Sequence, residues 1–112
     1  MLKPLPQFHR RSFDRVHGYI ARVLTNERQA ETTRLVQLIP YPDGHYRAVF
    51  RPDYFALPEG QTEPSKSQWN TLKKRMKRLE GDVFIFREHG ETECAPGELC
   101  YYVEFGFVAH KR

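Results

Sequence analysis

The strongest structural signal in the chain is SKSQWNTLKKRMKRLEG, residues 65–81. Ser65 is a favourable N-cap, and Gln68 stands three residues later, where its side chain completes a capping box. Gly81 can take the left-handed conformation with which many helices end. The stretch therefore predicts an amphipathic helix over residues 65–80.

The two sides of this predicted helix differ in chemistry. Its large apolar residues recur at spacings of three and four, so one stripe carries Trp69, Leu72, Met76 and Leu79. We expect this stripe to pack on the core. The cations outside it are Lys66, Lys73, Lys74, Arg75, Lys77 and Arg78. They form either an ordinary solvated face or an anion-binding surface, for which nucleic acid is the leading ligand.

The composition is that of one folded domain. The chain has 112 residues, of which 39% are hydrophobic and 13% aromatic, whereas disordered chains are poor in aromatics. We predict an extended lead-in at 1–11, where Pro4 and Pro6 oppose a helix, and a single α+β domain at 12–112. No apolar run approaches the ~20 residues of a membrane span, and the N-terminus lacks the apolar segment of a signal peptide. We therefore expect a cytoplasmic protein that does not bind a membrane.

Charge is distributed unevenly along the chain. Residues 1–79 hold 15 Lys and Arg against 7 Asp and Glu, whereas residues 80–104 hold Arg87 against 7 Asp and Glu. Such a dipolar chain either orients a charged partner or lets its own two halves attract each other.

A β-hairpin is predicted before the helix. Residues 32–39 and 45–51 have strand composition, and the YPDG sequence at 41–44 is a strong turn signal. Alternation along the second strand places Arg47 and Arg51 on one face. The opposite face carries Tyr46, Ala48 and Phe50.

Two further strands are predicted after the helix, at 82–87 and 99–108. Alternation gives the last strand one aromatic-rich face, made of Tyr101, Val103, Phe105 and Phe107. Gly106 suggests a bulge or bend. Residues 89–98 are polar and contain Gly and Pro, so we predict a loop there.

Residues 12–25 fit either a strand or a helix, and they determine the fold class. Phe13, Val16, Ile20 and Val23 share one helical face, but Gly18 weakens a helix by about 1 kcal/mol relative to Ala, so we favour a strand. The order β-β-β-α-β-β then predicts a small antiparallel sheet or an OB-like barrel. With a helix there, the chain becomes two helix–strand–strand units, with a four-stranded antiparallel sheet carrying two helices.

Catalytic and metal chemistry find little support. Cys94 and Cys100 are separated by five residues, unlike the close cysteine pair of structural zinc sites, so we expect neither a metal nor another cofactor. In a reducing compartment we expect them to be free thiols, and a disulfide between them is the alternative. The nearby His89, Glu91 and Glu93 lie in the predicted loop and suggest no catalytic site. We therefore expect a non-enzymatic domain.

The leading functional hypothesis is binding of single-stranded DNA or RNA through a basic face. Tyr41 and Tyr54 flank turns and are expected to be exposed, as base stacking requires. The acidic run 88–98 counts against this hypothesis. The predicted nucleic-acid-binding residues are Arg47, Arg51, Lys66, Lys73, Lys74, Lys77, Arg78 and Tyr54.

The alternative hypothesis is a protein-interaction or assembly-factor module that docks on an acidic partner surface. The same lysines that contact phosphates would contact carboxylates there, so the sequence does not separate the two hypotheses. Open edge strands would also allow pairing with a second copy of the chain, which gives a homo-oligomer.

Overall fold

The structure of the chain, a computed structural model, describes residues 8–25, 32–79 and 81–109. Its elements in order are α1 (Phe13–Val23), β1 (Leu35–Pro40), β2 (Tyr46–Phe50), a 3-10 turn (Pro52–Phe55), α2 (Lys66–Arg75), β3 (Arg78–Leu79), β4 (Asp82–Ala95) and β5 (Glu98–Ala109). The α+β class is confirmed.

One antiparallel sheet contains all the strands, in the order β1-β2-β5-β4-β3. Four strands make up its body, and β3 adds only two residues at one edge. The sheet is open, because β1 lies at the other edge and no strand in the described part of the chain joins the two edges. The OB-like barrel is therefore not confirmed.

Helix α1 settles the ambiguous segment, and the preference for a strand there is wrong. Val16, Ile20 and Val23 are buried at the spacings of one helical face. Gly18 lies on the solvent side, where a Cβ atom would meet nothing within 4 Å. The helical periodicity of the apolar residues therefore outweighs the cost of one glycine, and the element order is that of two helix–strand–strand units.

Helix α2 begins as predicted. The Gln68 N–H donates to Ser65 Oγ at 3.2 Å, and the Ser65 N–H donates to Gln68 Oε1 at 2.7 Å, which forms the capping box. Trp69 and Leu72 face the core from this helix, and Met76 at its C-cap is also buried.

The predicted end of this helix is wrong, because it stops at Arg75. The chain then turns into β3, whose pairing with the first residues of β4 supplies backbone hydrogen bonds in place of further helix. Leu79 still packs on the core, but from a strand. Gly81 has the left-handed conformation that was expected, with φ of 87°, in the turn between β3 and β4.

Both helices pack on the same face of the sheet and share one core with it. The predicted face of β5 is confirmed, because Tyr101, Val103, Phe105 and Phe107 are all buried in that core. Phe50 on β2 lies at its aromatic centre, with ring centroids 5.7–6.2 Å from those of Tyr54, Phe55, Trp69 and Tyr101. We call the other face of the sheet, which no described helix covers, the open face.

The first hairpin has the predicted turn. The Gly44 N–H donates to the Tyr41 carbonyl at 3.0 Å, and Gly44 has φ of 95°. Asp43 Oδ1 accepts the N–H of His45 at 3.0 Å, so the acid at the third position fixes the turn from within.

Residues 8–11 of the predicted lead-in pack against the end of the sheet, and residues 1–7 lie outside the described part of the chain. Phe8 is buried against Gly106, where a Cβ atom would clash with the phenyl ring. The His9 N–H donates to the Phe107 carbonyl at 2.8 Å. Gly106 therefore makes room for a ring, and the pairing of β4 with β5 continues through it without a bulge. The boundary at residue 11 stays a prediction.

The predicted loop at 89–98 is wrong, because β4 continues to Ala95 and β5 begins at Glu98. The hairpin extends beyond the strands beside it, since β2 pairs only with residues 101–105 of β5. No residue from Arg87 to Ala95 is buried, so this part of β4 shows no apolar alternation and its polar sequence resembles that of a loop.

A disulfide joins Cys94 to Cys100 across the tip of this hairpin, with their Cα atoms 5.7 Å apart, so the expectation of free thiols is wrong. The pairing of β4 with β5 brings the two strands together at the tip and sets Thr92 opposite Cys100. Strand pairing was not predicted there, so the disulfide was only the alternative to free thiols.

Reduction of this disulfide is expected to lower the free energy of unfolding by about 2 kcal/mol, because it raises the conformational entropy of the unfolded chain. The effect is modest because the disulfide closes a loop of only a few residues. Urea unfolding with and without a phosphine reductant measures the change. Cys94→Ser with Cys100→Ser should unfold like the reduced protein and should not respond to reductant. A reductant effect that persists in this double variant would contradict the assignment.

Candidate nucleic-acid interface

Three lysines of the basic stretch lie exposed on the helix side of the sheet: Lys66, Lys74 and Lys77. Across residues 8–25, 32–79 and 81–109, no carboxylate lies within ion-pair distance of their amino groups. Helix α2 itself contains no acidic residue. The acidic stretch after Gly81 therefore does not neutralise these three lysines.

Lys73 has a different environment from the other lysines of α2. It is half-buried, and its Nζ lies 5.6 Å from the centroid of the Phe86 ring on β4. Burial lowers the pKa of Lys73. Its stem packs against the sheet, so it contributes to both structure and surface charge.

Tyr54 is buried, and the expectation that its ring is exposed for base stacking is wrong. Its hydroxyl accepts a hydrogen bond from Arg75 Nη1 at 2.6 Å, and burial raises the pKa of the phenol. The 3-10 turn after β2 folds the Tyr54 ring back onto Phe50. The position of Tyr54 near prolines in the sequence did not indicate this packing. Tyr41 is half-buried and stacks on His45, with ring centroids 4.2 Å apart.

Arg47 lies on the open face and is neutralised there. Its Nε and Nη2 atoms both lie 2.8 Å from Glu104 Oε2, and Nη2 lies 3.8 Å from Glu88. The guanidinium also covers the Tyr102 ring at 4.0 Å, and Tyr102 donates its hydroxyl to Glu88 at 2.7 Å. Burial would lower the pKa of Arg47, but the hydrogen bond and charge of Glu104 raise it. The charge of Arg47 is thus already paired with carboxylates of β4 and β5.

Arg51 is exposed at the end of β2, beside the tip of the disulfide-linked hairpin. It borders a groove whose apolar parts include Val36 and Leu99. Because it follows the core residue Phe50, it points to the open face. Arg47 and Arg51 therefore do not join the lysines of α2 into one surface. The side chain of Arg78 lies outside the described part of the structure.

His89 is a surface residue whose position the sequence did not reveal. Its exposed imidazole stacks on the buried Trp69 indole, with centroids 4.2 Å apart and planes 21° apart. Burial and the charge of Lys73 lower the pKa of His89. The position of His89 results from the strand bulge between Phe86 and Glu88. The bulge shifts the alternation of β4 so that His89 faces the helices.

Comparison of the chain with protein-family models, curated proteins and solved structures finds no match. The assignment of a function therefore depends on the surfaces themselves. Among the described residues, no three His, Cys, Asp or Glu side chains are grouped so that they could hold a metal ion. No helix in the described ranges has the length and apolar character needed to cross a membrane.

Proposed function

We propose that the chain is a small non-enzymatic domain that binds single-stranded nucleic acid through the helix side of its sheet. The observation that carries this proposal is the exposure of Lys66, Lys74 and Lys77 without a carboxylate partner among the described residues. Phosphate groups are the ligands that such unpaired cations attract most generally.

The pairing of acids with Arg47 favours the helix side over the open face. Exposed carboxylates crowd the β4–β5 hairpin, at Glu88, Glu91, Glu93 and Glu98. On the open face Glu88 and Glu104 occupy Arg47, so that face offers a phosphate chain mainly Arg51. The predicted basic residues thus separate into a binding set, on α2 and at Lys77, and a set on the open face.

Fluorescence anisotropy with a labelled (dT)12 oligonucleotide tests the proposal. Lys74→Gln with Lys77→Gln removes two exposed cations and leaves Lys73, which packs on Phe86, in place. At ~50 mM salt we expect roughly 10- to 60-fold weaker binding, and a log–log salt slope shallower by about 1.4, since each single-strand contact releases about 0.7 counterion.

Arg51→Gln is the control, because it removes an exposed cation from the open face. It should change the affinity by less than about threefold, as a cation remote from the ligand does. Absence of binding by the unmodified protein at ~50 mM salt would refute the proposal. So would a larger loss for Arg51→Gln than for the double lysine variant.

A protein-interaction module is the second candidate, favoured by the outer edge of β4. Beyond Val83, no strand in the described ranges pairs with this edge, although β4 runs on to Ala95. An unpaired edge can accept an extended segment of a partner or of a second copy. This hypothesis predicts a protein partner, or a homo-oligomer, that survives nuclease treatment.

A cytoplasmic location fits a nucleic-acid ligand and is retained as part of the proposal. The disulfide opposes it, because reducing compartments keep most cysteines as thiols. In such a compartment Cys94 and Cys100 would be reduced, and the hairpin would depend on its strand pairing alone.

A further inference from the structure

The His89–Trp69 pair is a flat aromatic surface at the border between α2 and β4. Trp69 is buried, so its indole supports the imidazole from below. His89 itself is exposed, and no second ring among the described residues contacts it. One face of the imidazole is therefore held against the protein and the other faces solvent.

Cations flank this pair on the helix. Lys66 stands three residues before Trp69 and Lys73 four residues after it, and residues at these spacings lie on the same side of a helix. Lys73 is also close enough for its charge to act on His89. An aromatic ring with cations beside it is the combination that binds an unpaired base together with its phosphates.

We propose that His89, supported by Trp69, is the base-stacking platform of the nucleic-acid site. The inference rests on the proposed function and adds to it the requirement for an unpaired base. The cations on α2 hold the phosphate backbone, while one base lies on the imidazole. Duplex DNA hides its base faces, so the site selects single strands.

The acidic side chains near the platform restrict the path of the ligand. Glu91 follows His89 on the same face of β4, and its charge and that of Glu63 act on Tyr101. Phosphates therefore avoid the hairpin side of the platform, and the backbone runs along the α2 side.

The test compares (dT)12 with inorganic polyphosphate, a polyanion that has no bases. His89→Leu keeps the indole of Trp69 covered but removes the aromatic ring, and it should weaken (dT)12 binding by about 5- to 150-fold, the range for one stacked base. Polyphosphate binding should change by less than about twofold, because its contacts are purely ionic. His89→Tyr should restore (dT)12 binding, and His17→Leu on the exposed face of α1 is the matched control.

The fluorescence of Trp69, the single tryptophan of the chain, provides a direct readout. It should change when (dT)12 binds and not when polyphosphate binds. Equal losses for both ligands in His89→Leu, or no loss for either, would overturn the platform and leave the proposed function intact. If the unmodified protein binds neither ligand, the proposed function fails together with the platform. Circular dichroism establishes that each variant is folded.

Discussion

Replacement of Phe50 by alanine is expected to lower the free energy of unfolding by about 3–5 kcal/mol, the range for a large aromatic removed from a packed core. Phe50 is fully buried, and four aromatic rings surround it. The cavity left behind would border both the sheet and α2. Because small domains are stable by only about 5–15 kcal/mol, this loss is a large share of the total stability.

Urea unfolding followed by Trp69 fluorescence measures this loss, since Trp69 belongs to the same cluster. Phe13→Ala is the matched control, because Phe13 is 42% exposed on α1 and its removal should cost less than about 0.5 kcal/mol. Similar costs for the two substitutions would contradict the position assigned to Phe50 in the core.

The second large effect is expected at Gly106. Alanine there should cost about 1.5–3 kcal/mol, because its Cβ atom would expel the Phe8 ring and forfeit the burial of that side chain. The φ angle of Gly106 is not in the left-handed region, so the cost comes from the missing space. Chemical denaturation measures it.

A double-mutant cycle isolates this contact. Once Phe8→Ala has removed the ring, Gly106→Ala should cost almost nothing, since alanine is otherwise no worse than glycine in a strand. The two substitutions should therefore be strongly non-additive. Additive losses would show that Phe8 does not lie on Gly106 and that residues 8–11 are not part of the packed domain.

The parts of the fold that were predictable depend on local chemistry. The capping box at Ser65, the turn at residues 41–44 and the alternation of β5 are each set by neighbouring residues, and all three are present. The helical or extended state of residues 12–25 was not predictable from local chemistry. Their apolar spacing and their residue composition indicate different structures, and only burial against the sheet decides between them.

The errors arise where pairing partners are distant in sequence. The helix was extended past Arg75 because the periodicity continues to Leu79, whereas β4 draws those residues into a strand. The hairpin at 89–98 was missed because the residues that β4 contributes to it are not buried and so show no apolar alternation. The position of His89 depends on a bulge in β4, which no local pattern reveals.

The candidate site was predicted only in part. The exposure of Lys66 and Lys74 follows from the helical stripe, which turns them away from the core, whereas Lys77 is exposed beyond the end of α2. The pairing of Arg47 with Glu104 required the register of β2 with β5, which sets these residues opposite each other. The sequence thus identified the charges, and the sheet determines which of them remain unpaired.

The proposed function requires that nucleic acid bind the helix side and not the open face. A 15N–1H NMR titration with (dT)12 tests it most directly, since it maps the contact residue by residue. We predict shifts concentrated in Lys66–Arg75, at Lys77 and at His89, with little change at Arg51 and Tyr102. Shifts concentrated at Arg47, Arg51 and Tyr102, or no shifts at ~50 mM salt, where ionic contacts are strong, would rule out binding on the helix side.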